Sequence, residues 1–91
     1  MSLTIVKNKL KKYDPEGETE IVIPEGVESI GANVFKECDS IERVVFPDTL
    51  VMIGQRAFAK CRRLKDIVLP DSVKSIANYA FFQCENLANA I

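Results

Sequence analysis

Histidine is absent from this 91-residue chain, so the commonest general base near neutral pH is missing. Three cysteines occur without a CxxC pair, and zinc would want that spacing or histidine as a fourth ligand. No phosphate-cradling glycine loop, GxSxG elbow or dinucleotide fingerprint is present, and the acidic pair Glu16/Glu18 falls in a segment that reads as solvated loop. Neither catalysis nor a cofactor or metal is therefore expected. The net charge is only -1, which gives no basic excess to draw nucleic acid or an anionic membrane. No apolar run approaches the roughly 18 residues of a membrane span, and the N-terminus lacks the apolar centre of a signal peptide. The chain as written is expected to stay where it is made, although Met1-Ser2-Leu3 is equally compatible with an expression scar on an excised segment.

What the chain does have is a period. Pro24, Pro47 and Pro70 are 23 residues apart, as are Ile30, Ile53 and Ile76, Phe35, Phe58 and Phe81, and Cys38, Cys61 and Cys84. A fixed repeat of about 20–29 residues marks a leucine-rich solenoid, whose coils must stack to bury their apolar faces. The expected organisation is a lead-in over residues 1–19, then repeats over 20–42, 43–65 and 66–88 and the start of a fourth strand, making 20–91 one array. Within the lead-in, Thr4 to Val6 and Lys9 to Tyr13 alternate around Lys7-Asn8, which predicts a capping hairpin. Asp14-Pro15-Glu16-Gly17 reads as a turn.

Each repeat has three parts. Ile21-Val22-Ile23, Val44-Val45-Phe46 and Ile67-Val68-Leu69 are strand-forming runs closed by proline, predicted to lie side by side as a parallel sheet with Val22, Val45 and Val68 outward. Val27, Leu50 and Val73, each three residues before an isoleucine, should cross the other side of the core. The third parts, ANVFKEC, QRAFAKC and NYAFFQC, carry apolar residues at spacings of one and four, which predicts about two turns of helix facing the interior. The fold class expected is α/β: parallel strands on one face and short helices on the other.

The segments IVIPEGVESIGANVFKECDSI, VVFPDTLVMIGQRAFAKCRRL and IVLPDSVKSIANYAFFQCENL resemble the BspA-like leucine-rich repeats of bacterial surface and secreted proteins. The resemblance covers residues 20–87 and extends to the opening hairpin. It implies a curved, non-catalytic scaffold that binds protein, with a parent at the cell surface or secreted. Ala77 departs from the glycine of the first two copies and Val34 from the alanine of the others.

The three cysteines share one repeat position and read as buried structural thiols. If their segments are helices, adjacent copies sit about 8–10 Å apart, beyond the roughly 7 Å that a disulfide spans. Charge is organised by repeat: residues 20–42 carry six acids against Lys36, and 43–65 six cations against Asp48. Signs alternate down the Glu20/Arg43/Asp66 and Asp39/Arg62/Glu85 columns, while Glu42 meets Lys65 and Glu37 meets Lys60. At a strand spacing of about 4.8 Å such neighbours can pair, so the basic middle repeat is read as fixing register rather than as a phosphate-binding face.

Two surfaces are candidates for a protein partner. The strand face would display Glu20, Val22, Arg43, Val45, Asp66 and Val68, though β-branched residues suit strands whether or not anything binds. Tyr79 and Phe82 form an aromatic pair where the earlier copies are polar or small. A third expectation is self-association through the C-terminal coil, at Leu69, Phe81, Leu87 and Ile91, unless the array continues and the chain is a structural segment of it.

Overall fold

The computed structural model describes residues 2–87 and the backbone of residues 89–90. The chain opens with β1 (Ser2–Val6) and β2 (Lys9–Asp14), an antiparallel hairpin. Lys7 and Asn8 both have positive φ, 51° and 65°, the two-residue turn that matches strand twist. At the register shift between Thr4 and Ile5, β2 carries one extra residue, Lys11, opposite the edge strand β1, a bulge that bends β2 and raises the local twist.

Three coils follow. The first parts form a parallel sheet from β3 (Glu20–Val22), β5 (Arg43–Val45), β7 (Asp66–Ile67) and β9 (Asn89–Ala90). Its strands begin one residue earlier than the apolar runs suggest. The second parts form another parallel ladder, β4 (Ser29–Ile30), β6 (Met52–Ile53) and β8 (Ser75–Ile76), which β2 extends in parallel so that the hairpin is continuous with it. Each proline-closed strand turns tightly: the amides of Val27, Leu50 and Val73 donate to the carbonyls of Pro24, Pro47 and Pro70 at 3.3, 3.1 and 3.1 Å.

The third parts are not helices, and no helix occurs among the described residues. Asn33, Glu37, Arg56, Lys60, Tyr79 and Gln83 all have positive φ, between 55° and 65°, which a right-handed helix of L-residues does not admit. Alternate amides reach across to the next coil instead: Asn33, Phe35 and Glu37 donate to the carbonyls of Gln55, Ala57 and Ala59, and Phe58 and Lys60 to those of Ala80 and Phe82. The amides between them close short turns, such as Lys36 to Asn33 and Cys38 to Phe35. In a helix these amides would bond within their own segment; here alternate amides donate to the neighbouring coil instead and hold the third parts together across the stack.

The interior is a column of rings. Phe35 and Phe58 stack at 4.9 Å and 6°, Phe58 and Phe81 at 5.3 Å and 3°, and Phe46 meets the edge of Phe58 at 5.8 Å. Tyr13 from the hairpin lies over Phe35 at 4.9 Å. Its hydroxyl donates to Glu18 Oε1 at 2.5 Å, giving a buried phenol the partner it needs. Around the column pack Leu10, Ile21, Ile30, Ile41, Leu50, Ile53 and Leu64, all fully buried. Gly54 is required by close approach rather than by φ: a Cβ there would stand 2.7 Å from the Ile30 carbonyl oxygen and 2.8 Å from the Ala32 nitrogen. Ala77 occupies the equivalent place in the third coil.

Candidate interaction surface

The β3–β5–β7 ladder sets the strand face. Its register places Glu20 beside Arg43 and Arg43 beside Asp66, with Val22 beside Val45. Because side chains alternate, Ile21, Val44 and Ile67 are buried while Val22, Val45 and Val68 are 54%, 41% and 69% exposed. Arg43 Nε lies 3.7 Å from Glu20 Oε2, and Lys65 Nζ lies 3.4 Å from Glu42 Oε1. These are solvent-exposed pairs of small energetic weight. Between the second and third coils the face dips into an open groove of about 340 Å³, with Val45 and Val68 along it, Arg43 and Asp66 at one end, and Phe46, Asp48 and Pro70 toward the other. Sequence reasoning found the valines and the first charge column but missed the proline-turn wall. The signal was available in the repeat: Glu25, Asp48 and Asp71 each follow the strand-ending proline.

The aromatic pair lies elsewhere. Tyr79 and Phe82 are 54% and 43% exposed and meet edge to face at 5.3 Å, with the Arg56 guanidinium 5.2 Å from the Tyr79 ring centre. They belong to the turn-built third part rather than to a helix face, and the structure does not join them to the strand groove, whose lining contains neither. Of the proposed self-association residues, Leu69, Phe81 and Leu87 are half-buried against the core, and Ile91 lies outside the described residues. On the same coil Ile76 is 45% exposed, whereas Ile30 and Ile53 are fully buried.

The thiols are free: Cys61 is buried, Cys38 and Cys84 half-buried. The spacing argument against a disulfide fails with the helices, because coils that rise about 5 Å bring the column within disulfide reach. What occupies the thiols is a hydrogen bond: Cys61 Sγ donates to the Phe35 carbonyl and Cys84 Sγ to the Phe58 carbonyl, both at 3.0 Å. Burial, foremost, pushes the Cys38 and Cys61 thiols up to about 11 and about 12, and raises Cys84. The other perturbed pair is Tyr13 and Glu18. Burial and then the Glu18 bond raise the phenol, while that same bond, aided by the Glu16 amide, lowers the carboxyl to about 2. Each shift thus belongs to packing or to closing the lead-in turn. Among the described residues no group of three or more His, Cys, Asp or Glu side chains is arranged to hold a metal ion, and no helix is long and apolar enough to cross a membrane.

Stacked 23-residue coils with two parallel ladders and a shared aromatic column define a leucine-rich-repeat solenoid. Residues 12–91 match the family profile of the BspA type leucine rich repeat region (6 copies), and the chain belongs to that family. Three solved bacterial structures are similar. A leucine rich repeat protein of T. pallidum (TpLRR) is 28% identical, over 99% of this chain and 46% of that one, with a TM-score of 0.88. One from Bacteroides ovatus is 41% identical over 80% and 19%, with a TM-score of 0.76. A leucine rich cell surface protein of Faecalibacterium prausnitzii is 26% identical over 90% and 28%, with a TM-score of 0.64. The chain thus spans less than half the length of each. No curated protein sequence matches it significantly.

Proposed function

We propose that this chain is a non-catalytic protein-recognition scaffold that holds a protein partner on its parallel-strand face. The observation that carries the reading is the stripe Val22, Val45 and Val68, exposed on consecutive coils beside an open groove. Backbone pairing supports it, since the ladder sets Val22 beside Val45, with Val68 one residue past β7, and such pre-ordering lowers the cost of forming an interface. Membership of a repeat family whose curved arrays bind through such faces adds to it. A photo-crosslinking residue at position 45 tests the idea, with one at Met52 on the opposite ladder as control. A discrete adduct from position 45 alone is expected; equal capture at both positions sinks the proposal.

A second reading is favoured by the third coil. Ile76, Leu69, Phe81 and Leu87 present the apolar surface that the earlier coils use to receive a successor, and a further coil of the same period fits there, from a longer array or from a second copy. Sedimentation over a wide concentration range separates these alternatives. A concentration-dependent dimer that Ile76→Glu abolishes supports association of copies, and a monomer throughout removes it.

A further inference from the structure

The partner's chemistry can be read from one column that breaks the rule of its neighbours. Down the coils, charges at a shared repeat position alternate in sign, as at Glu20/Arg43/Asp66, where Arg43 and Glu20 pair. Glu25, Asp48 and Asp71 are 23 apart and all acidic. All three lie in the proline turns just beyond the ladder strands, where a column of one sign offers no ion pairing between coils, so stacking does not explain it. Turn formation does not account for it. Asp favours turns by hydrogen-bonding nearby backbone, but these three exposed carboxylates make no hydrogen bond or ion pair among the described residues, and the turns close through the proline carbonyls instead. Asp48 alone of the three lines the strand-face groove, beside Val45 and Val68; Glu25 and Asp71 hold the same repeat position, three residues after Val22 and Val68.

We infer that the strand face takes a cationic amphipathic helix of a partner protein, its apolar ridge along Val22, Val45 and Val68 and its Lys or Arg residues along Glu25, Asp48 and Asp71. This deepens, and rests on, the strand-face reading above. Pitch supports a helix: its turns advance about 5.4 Å against about 4.8 Å per coil, so ridge residues at i, i+3/i+4 and i+7 stay in step over three coils to about 1 Å. Along this column an anionic segment or nucleic acid would meet like charge, and among the described residues the carboxylates form no metal-holding group.

The test uses two fluorescent peptides of about 18 residues, long enough to hold a helix. One carries a leucine ridge flanked by lysines, the other the same ridge flanked by glutamates. Anisotropy with the intact chain should show the lysine peptide binding at least about tenfold tighter, the scale that several screened surface charges reach together. Its affinity should fall between about 20 and 200 mM salt. The Glu25→Gln/Asp48→Asn/Asp71→Asn variant should lose about tenfold, while the control Glu28→Gln/Glu37→Gln/Glu85→Gln, equal in net charge, changes less than about twofold. Equal loss in both triples, or no loss in the first, overturns the inference. So does equal binding of the glutamate peptide; if Val45→Ser/Val68→Ser then abolishes that binding, the strand face stands and only its charge preference falls. Binding indifferent to every substitution, or no binding of either peptide, overturns the inference, and the position-45 crosslink then decides the strand-face reading by itself.

Discussion

Replacing Phe58 by leucine probes the shared interior most directly. Phe58 is fully buried and meets three rings, Phe35 and Phe81 face to face and Phe46 edge on. Leucine keeps most of the apolar transfer energy but forfeits the ring contacts, each worth about 0.5–1.5 kcal/mol beyond area. The expected loss is about 2–4 kcal/mol. Phe81→Leu surrenders the ring contact with Phe58 at a half-buried site, and should cost about 1 kcal/mol. For a chain of this size each kcal/mol moves Tm by about 4–8 °C, so the two variants separate by a melting-curve shift of roughly 10 °C. Denaturant titration should show Cm lowered at unchanged m. Equal losses for Phe58→Leu and Phe81→Leu would refute a continuous column, as would strict additivity in Phe35→Leu/Phe58→Leu, where a coupling above about 0.5 kcal/mol is expected between touching residues.

Five further outcomes follow from local geometry. Gly54→Ala drives a Cβ into the backbone of the preceding coil and should cost about 1–3 kcal/mol, read as a lower Cm. Thr49 Oγ1 accepts from the Gly26 amide at 3.0 Å and donates to the Val27 carbonyl at 2.8 Å, so Thr49→Ala should lose about 1–2 kcal/mol. Ser72, one repeat on, has a buried Oγ without a partner among the described residues, and Ser72→Ala should be neutral or slightly stabilising in the same titration. The Glu18 carboxyl is held at about 2 against an ordinary 4.5; because the folded value lies below the unfolded one, its contribution is complete above about pH 4.5 and disappears as pH falls through about 2. Glu18→Gln should flatten that acid limb in Cm measured against pH, and an unchanged slope would refute the linkage. The thiols, raised by burial, should resist alkylation at pH 8 until the chain is unfolded; rapid native labelling of Cys61 would contradict its hydrogen-bonded seat.

The interior was legible because it repeats. Stacking forces like residues to like heights, so subtraction alone located Phe35, Phe58 and Phe81 and the outward valines. The third part was misread because spacings of one and four suit a helix and a pair of successive turns equally well. The six left-handed positions could have separated them, but only Asn33 is of a type at home there; Glu37, Arg56, Lys60, Tyr79 and Gln83 disguise the rest. Tyr13 escaped notice for a numerical reason. It lies one residue short of a repeat period before Phe35, so a count by 23 passes over the residue that continues the column.

The surface obeys a different logic, and that is why candidate sites were only partly visible. A solvent-facing position is free to vary unless stacking or binding restrains it, so repetition outside the core is informative only where stacking does not explain it. The valine stripe repeats without conflict and is explained by strand chemistry alone. The alternating columns repeat in the sense that stacking favours. Glu25, Asp48 and Asp71 share one sign and make no hydrogen bond or ion pair among the described residues, so pairing between coils does not explain them. That asymmetry, rather than the size of the groove, directs attention to a cationic partner.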